Sequence, residues 1–215
     1  MSIIIYQTSV SPPARSALMV VNILGIKAET REVTLPRRDH YSQEYLEKNP
    51  LHTVPILEED DLVIADSHAI ITYLVSKYGE EKHESMYPKD LKIRAIIDQM
   101  LYFDATILFP RLKTVIYSVV RGQGMSRQQI ADIQEAYDVL EIYLSKNIFV
   151  AGNEFTVADI SCVATLSSLD CVLPVDKKHV NVNRWWATLS NEKWYKEVNV
   201  PGLELFRSFI KQFLK

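Results

Sequence analysis

The 215-residue sequence has only two cysteines, Cys162 and Cys171. They are too few for a disulfide framework and are not spaced as a metal-ligand pair, so both are expected as small buried hydrophobes and no metal is expected. No stretch approaches the roughly 20 apolar residues that a bilayer-spanning helix needs. Residues 1–6 lack the basic start and long apolar run of a secretory signal, which makes the cytoplasm the expected location and leaves no membrane partner. A net charge of −3 provides no positive excess for holding nucleic acid. There is no repeat of fixed period, no low-complexity tract, no G-x-S-x-G elbow and no Ser/His/Asp grouping, so the serines are not read as hydrolase nucleophiles.

What is present divides into two halves with different patterning. Residues 1–79 change period repeatedly, as a mixed α/β domain should. Ile3 to Gln7 reads as a strand. Ala14 to Leu24 carries Ala17, Val20, Val21 and Leu24 at helical spacing before Gly25, which can supply a left-handed cap. Ala28 to Val33 reads as a second strand and Gln43 to Lys48 as a short helix. Pro55 to Glu58 and Leu62 to Ala65 flank Glu59-Asp60-Asp61 as a hairpin. Ser67 to Tyr78 is a helix closed by Gly79, giving the order βαβαββα. Residues 80–89 are polar, contain Pro88 and read as an interdomain linker. Residues 90–215 show no strand alternation and read as an all-helical domain. In it Asp90 to Val120 is one long pattern broken at Gly122 and Gly124, and Ser126 to Asn147 is a second helix. Thr156-Val157-Ala158-Asp159 is a capping-box variant, with Asp159 reaching back to the cap amide and Phe155 and Ile160 at the staple positions.

Three polar segments carry the chemistry. Ser11-Pro12-Pro13-Ala14 follows the first strand and opens a helix, so a hydroxyl stands where unpaired backbone N–H groups point outward, a place for an anion. If that anion is a thiolate, half ionisation near about pH 6.5 instead of about 8.5 requires roughly 2.7 kcal/mol. A hydroxyl donating to a charged sulfur supplies roughly 1.5–3 kcal/mol and a helix N-terminus roughly 0.3–2. Ser11 is therefore expected to donate a hydrogen bond. In the second segment, Val54-Pro55 is a context where a cis peptide is cheap, and the Val54 N–H and C=O would then face outward to pair with a bound peptide in strand fashion. His40 and His52 can each donate to a terminal carboxylate. The third segment, Asp66-Ser67, opens another helix, where Asp66 can take an ammonium while the Ser67 hydroxyl and amide take a carboxylate. A γ-glutamyl head carries both groups on one carbon, and the three segments together point to glutathione. Taken singly, each is also ordinary helix-cap or surface chemistry.

These residues resemble, over essentially the whole length, the soluble glutathione transferases, with most similarity to the arthropod delta and epsilon classes and room for an unclassified insect class. The resemblance rests on Ser11-Pro12-Pro13, His52-Thr53-Val54-Pro55, Ser67-His68-Ala69-Ile70 and the box from Thr156 to Asp159. It implies a thioredoxin-like N-terminal domain that holds glutathione as co-substrate, and an α-helical C-terminal domain that shapes a pocket for hydrophobic electrophiles. By that resemblance Ser11 stabilises the thiolate, and His40 and His52 meet the glycyl end. Val54 pairs with the cysteinyl backbone beside Thr53 and a cis Pro55, and Asp66 and Ser67, with His68 next to them, hold the γ-glutamyl head. Pro13, Phe109, Leu112, Lys113, Ile116, Tyr117, Phe206, Phe209 and Ile210 are the candidates for the electrophile pocket. Lys113 either snorkels to water or faces a polar ligand group.

The sequence departs from the family pattern at Asp66, where Glu is common, at Leu51, where Gln is frequent, and at His68, where delta enzymes often carry Arg. The implied activity is detoxifying conjugation of glutathione to xenobiotic-like electrophiles. The alternatives are a non-catalytic carrier of apolar ligands and a glutathione-dependent peroxidase or isomerase. The resemblance also implies a homodimer through Ser67 to Tyr78 and Asp90 to Val120.

Overall fold

In a computed structural model that describes residues 2–213, strand β1 (Ile3–Gln7) pairs in parallel with β2 (Ala28–Glu32). Parallel neighbours need a crossover, and helix α1 (Pro12–Leu24) supplies it. After α2 (Gln43–Lys48) comes the hairpin of β3 (Ile56–Glu59) and β4 (Leu62–Ile64); β3 joins β1 antiparallel, so the sheet order is β2-β1-β3-β4. Helix α3 (Ser67–Tyr78) completes the expected βαβαββα unit. β1 is buried along its whole length, whereas β2 is an edge strand whose exposed Glu29, Arg31 and Glu32 discourage pairing with another chain.

The rest is helical: α4 (Leu91–Phe103), α5 (Phe109–Val120), α6 (Arg127–Lys146), α7 (Val157–Asp170), α8 (Val180–Ser190) and α9 (Val200–Lys211). Every residue of α7 from Val157 to Leu169 is buried, and a helix closed to solvent all round is the axis of its domain. Ile5, Val20, Leu57 and Ile71 from the sheet unit share one hydrophobic cluster with Met100, Leu112, Leu140, Leu166 and Trp185 from the helices. At roughly 1.5–3 kcal/mol for each fully buried large aliphatic side chain, this shared core couples the two halves.

Four local features differ from the sequence reading. The long pattern from Asp90 to Val120 is not one α-helix, because residues Asp104–Leu108 form a π turn in which the Phe109 N–H bonds the Asp104 carbonyl. Pro110, in the first turn of α5, has no N–H to continue an α ladder, and the chain widens just before it. A second π turn, Tyr195–Asn199, precedes Pro201 at the start of α9 in the same way. Asp104 in the first turn and Asn199 in the second are buried polar side chains. Residues 80–89 are more ordered than a linker, since Glu81–Met86 is a 3-10 helix that buries Met86.

Gly25 caps α1 at φ 66 as expected. Gly79 does not adopt the left-handed conformation (φ −71), and glycine is needed there because a Cβ would collide with the Val75 carbonyl. The missed element is the Ser126–Gln129 capping box at the start of α6, with Gln129 N–H to Ser126 Oγ at 3.1 Å and Ser126 N–H to Gln129 Oε1 at 2.8 Å.

Candidate functional site

The sheet register gathers the three polar segments at one end of the sheet. Tyr6 pairs with Ile56 and Leu57 with Ile64. The exit of β1 toward Ser11, the entry of β3 after Val54-Pro55 and the exit of β4 toward Asp66 therefore lie side by side.

Ser11 is the N-cap of α1 in an extended conformation (φ −82, ψ 118), with Pro12 and Pro13 opening the helix. Its Oγ accepts the Ala14 N–H at 3.4 Å, a long bond. The hydroxyl donates to nothing among the described residues, so its proton is free for a ligand. The Ser11 N–H is held by the Thr8 carbonyl at 2.9 Å. Pro13 is half-buried beside it.

The Val54-Pro55 bond is cis. Thr53 is tied down from behind: its carbonyl accepts from Tyr45 Oη at 2.6 Å and from Asn49 Nδ2 at 3.0 Å, and its hydroxyl accepts from Asn49 Nδ2 at 3.0 Å. Asn49 also takes the Leu51 N–H on its side chain and the His52 N–H on its carbonyl. The Val54 N–H and C=O have no hydrogen-bond partner among the described residues, the condition for strand-like pairing with a peptide. Asn49 and Tyr45 thus shape the loop, and the sequence reading did not single them out. Asn49-Pro50, an Asx-turn dipeptide, was the available signal.

His52 (φ 44) stacks on Tyr41 with ring centroids 4.5 Å apart, and His40 lies 6.2 Å from His52. The two imidazoles therefore share one side of the site. Burial and the neighbouring charges of His52 and Arg38 lower the His40 pKa, and His40 Nδ1 is buried without a partner among the described residues. Leu51 is exposed.

Asp66 caps α3. Its Oδ1 accepts the His68 N–H at 2.9 Å and the Ala69 N–H at 3.0 Å, and the hydrogen bond with the His68 ring leads the causes that hold its pKa below the usual value. Asp66 is exposed enough to meet a ligand cation, while Ser67 is buried and its hydroxyl makes no hydrogen bond among the described residues. His68 is engaged on both ring nitrogens, with Nε2 3.1 Å from Asp104 Oδ2 and Nδ1 3.5 Å from Asp66 Oδ1. Burial alone would lower its pKa, but the bonds to Asp104 and Asp66 outweigh it and push it up to about 9. His68, expected among the glutathione contacts, bridges Asp66 and the π turn in this structure. Ser161 Oγ on α7 completes the chain, donating to Asp104 Oδ2 at 2.5 Å.

The candidate pocket residues separate by exposure. Leu112, Phe206 and Ile210 are fully buried in the shared core and back the wall. Expected at the electrophile pocket, they pack against the hydrophobic cluster in this structure. Phe109 and Ile116 are half-buried, whereas Lys113, Tyr117 and Phe209 are exposed. The Lys113 ammonium lies 5.8 Å from the Tyr117 ring, so its stem follows α5 while its charge reaches solvent.

Comparison with known proteins agrees with this geometry. The family model described as Glutathione S-transferase, N-terminal domain, matches residues 5–82, and the one described as Glutathione S-transferase, C-terminal domain, matches residues 105–193. Glutathione S-transferase 1 of Manduca sexta is 40% identical over 210 residues, 96% of each chain. An epsilon-class glutathione S-transferase structure from the housefly, Musca domestica, superposes with a TM-score of 0.94 at 38% identity, covering 98% of each chain. A glutathione transferase homolog from Drosophila mojavensis, with bound glutathione, gives 0.95 at 37% identity, covering 99% of this chain and 98% of its own.

Proposed function

The chain belongs to the glutathione S-transferase family and is a transferase, and from that premise we propose how its own residues handle glutathione. The carrying observation is Ser11, whose hydroxyl proton is unspent at the mouth of α1. Ser11 donates to the glutathione sulfur and keeps it ionised, while the first turn of α1 adds its dipole. Val54 pairs with the cysteinyl backbone next to Thr53 and Pro55. His40 and His52 face the glycyl carboxylate, Asp66 takes the γ-glutamyl ammonium, and Ser67 takes its carboxylate. His68 acts behind Asp66, holding that carboxylate in place.

The ionised sulfur then adds to, or displaces a leaving group from, a hydrophobic electrophile. The protein contributes orientation and a prepared electrostatic environment; the nucleophile comes from the ligand. Phe109, Lys113, Ile116, Tyr117, Phe209 and Pro13 surround the electrophile. No group of His, Cys, Asp and Glu suited to a metal occurs among the described residues, and glutathione is the only co-substrate in this scheme. The division into a glutathione-binding domain over residues 1–79 and an electrophile domain over residues 90–215 is supported by the extents of the two family matches. No helix among the described residues is long and apolar enough to cross a membrane, and we place the protein in the cytoplasm. A homodimer is supported by Leu91, Ile93, Ile96 and Tyr102, which leave α4 apolar and 48–78% exposed, more than an isolated helix face normally shows to water.

Calorimetric titration with glutathione, followed by steady-state assays with several electrophiles, tests the reading. It expects saturable binding and turnover above the uncatalysed rate. Absence of heat on titration would refute the site assignment, and binding without turnover would favour a carrier. Sedimentation at the mass of one chain would refute the dimer.

A further inference from the structure

Arg15 is a buried cation with no carboxylate to meet it. Its side chain is 1% exposed, and all five of its N–H donors are used. Nε donates to Asn199 Oδ1 at 2.8 Å. One terminal nitrogen donates to the Ser9 and Val10 carbonyls at 3.3 and 3.0 Å, and the other to the Ala164 carbonyl at 3.3 Å and Ser168 Oγ at 2.5 Å. Every acceptor is neutral, and no ion pair among the described residues includes Arg15. Burying an ion without a counter-charge is costly, so the arrangement calls for a reason beyond tying down carbonyls.

The position supplies one. Arg15 lies one helical turn after Ser11, its amide bonded to the Ser11 carbonyl at 2.9 Å. Its guanidinium grips the two carbonyls that immediately precede Ser11. We propose that Arg15 is the positioning residue of the Ser11 loop and the buried counter-charge of the ionised glutathione sulfur, held by neutral acceptors so that its field is not cancelled inside the protein. This rests on the glutathione reading of Ser11 given above.

The surrounding elements keep that field intact. Asn199, at the end of the second π turn, has the shape of an aspartate without its charge, and its amide nitrogen is anchored on Ser167 Oγ at 3.2 Å. Tyr195 of the same turn and Cys171 beyond α7 are the titratable groups that act on the guanidinium, and neither is a carboxylate. Arg207 of α9 lies beside Cys171. Asp170, which also acts on that thiol, has its Oδ1 bonded to the Val175 N–H at 3.0 Å. In general, a unit charge about 10 Å from a thiol at an effective dielectric of about 20 shifts its pKa by about one unit.

The test measures the thiol pKa of bound glutathione from thiolate absorbance against pH, together with the acid limb of kcat/KM, in wild type, Asn199→Asp, Arg15→Gln and Arg15→Lys. Asn199→Asp keeps the hydrogen bond to Nε and cancels the charge, so it is expected to raise the bound thiol pKa and the acid limb by about one unit with the melting temperature unchanged or higher. Arg15→Lys keeps the charge and loses the fork, so the low thiol pKa persists while KM for glutathione rises. Arg15→Gln, if Asn199→Asp does not fold, is expected to differ from Arg15→Lys by the same unit. A thiol pKa equal to wild type in Asn199→Asp, or equal between the Gln and Lys variants, would overturn the proposal. A wild-type protein that binds no glutathione, or binds it with an unshifted thiol, would sink the Ser11 reading and this inference with it, an outcome visible before any variant is made.

Discussion

His68 Nε2 lies 3.1 Å from Asp104 Oδ2, across the boundary between α3 and the helical half. The pair sits behind Asp66 on one side and Ser161 on the other. The γ-glutamyl end of the site is thereby wired to α7, the most deeply buried helix. Asp104 reaches His68 from the first residue of a π turn, the widened segment that precedes Pro110.

Because His68 titrates at about 9 in the folded protein and near 6.5 when unfolded, its pairing stabilises the fold fully below about pH 6.5. The contribution fades as pH rises through about 9, by a total on the order of 3 kcal/mol. Thermal melts between pH 6 and 10 should show this decline, and His68→Gln should flatten it. An equal decline in the variant would assign the effect to other groups.

Asp104→Ala leaves the His68 cation buried without its stronger partner. The expected cost is about 3 kcal/mol in chemical denaturation, with glutathione affinity reduced because Asp66 loses its support. Unchanged stability would mean that the bridge is idle.

Asp159 is fully buried and accepts four hydrogen bonds. The donors are the Val150 N–H at 2.9 Å, the Thr156 N–H at 2.9 Å, the Thr156 hydroxyl at 3.1 Å and Trp185 Nε1 at 2.8 Å. Burial pushes its pKa up to about 6 despite these donors. Asp159→Ala orphans them together and should cost about 3 kcal/mol or more, seen as insoluble expression or a lower denaturation midpoint. Retained wild-type stability would contradict the hub role.

Gly202→Ala places a methyl against the Ser9 carbonyl and 2.8 Å from Arg15 Cδ. α9 must then retreat or the loop before Ser11 must shift. The expected result is about 1–3 kcal/mol of destabilisation together with a rise in KM for glutathione, measured on the same preparation. A wild-type KM would show that the loop tolerates the retreat of α9.

How much of this was legible in the sequence depends on how local each signal is. Ser11, Val54-Pro55 and Asp66-Ser67 stand at helix starts or before a strand, where turn and cap chemistry is written in adjacent residues, and the element order βαβαββα follows from the period changes in residues 1–79, whereas the strand order β2-β1-β3-β4 does not. The capping role of Asp159 was equally local, but its bonds to Val150 and Trp185 were not. Arg15 with Asn199 and His68 with Asp104 are separated by 184 and 36 positions, and no period or motif announces such a meeting. The π turns were hidden because apolar spacing runs on through residues 104–108; Pro110 and Pro201 alone marked the places where an α ladder would fail. For Leu112, Phe206 and Ile210, an apolar helix face reads the same whether a ligand or another helix covers it, and all three are buried.

Ser11→Ala removes the donor and leaves the helix dipole, so kcat/KM at pH 6.5 should fall by about ten- to hundredfold, the loss of one hydrogen bond to a charged atom. Glutathione binding itself should change little. A variant with full activity would move the thiolate's donor elsewhere.

Bound glutathione carries its sulfur ionised beside Ser11 in this mechanism, and the thiol pKa of the wild-type binary complex, read from thiolate absorbance as pH is varied, measures that directly. A midpoint of about 6.5 is expected, roughly two units below that of a free thiol. A midpoint near about 8.5 with glutathione saturating the protein would contradict it.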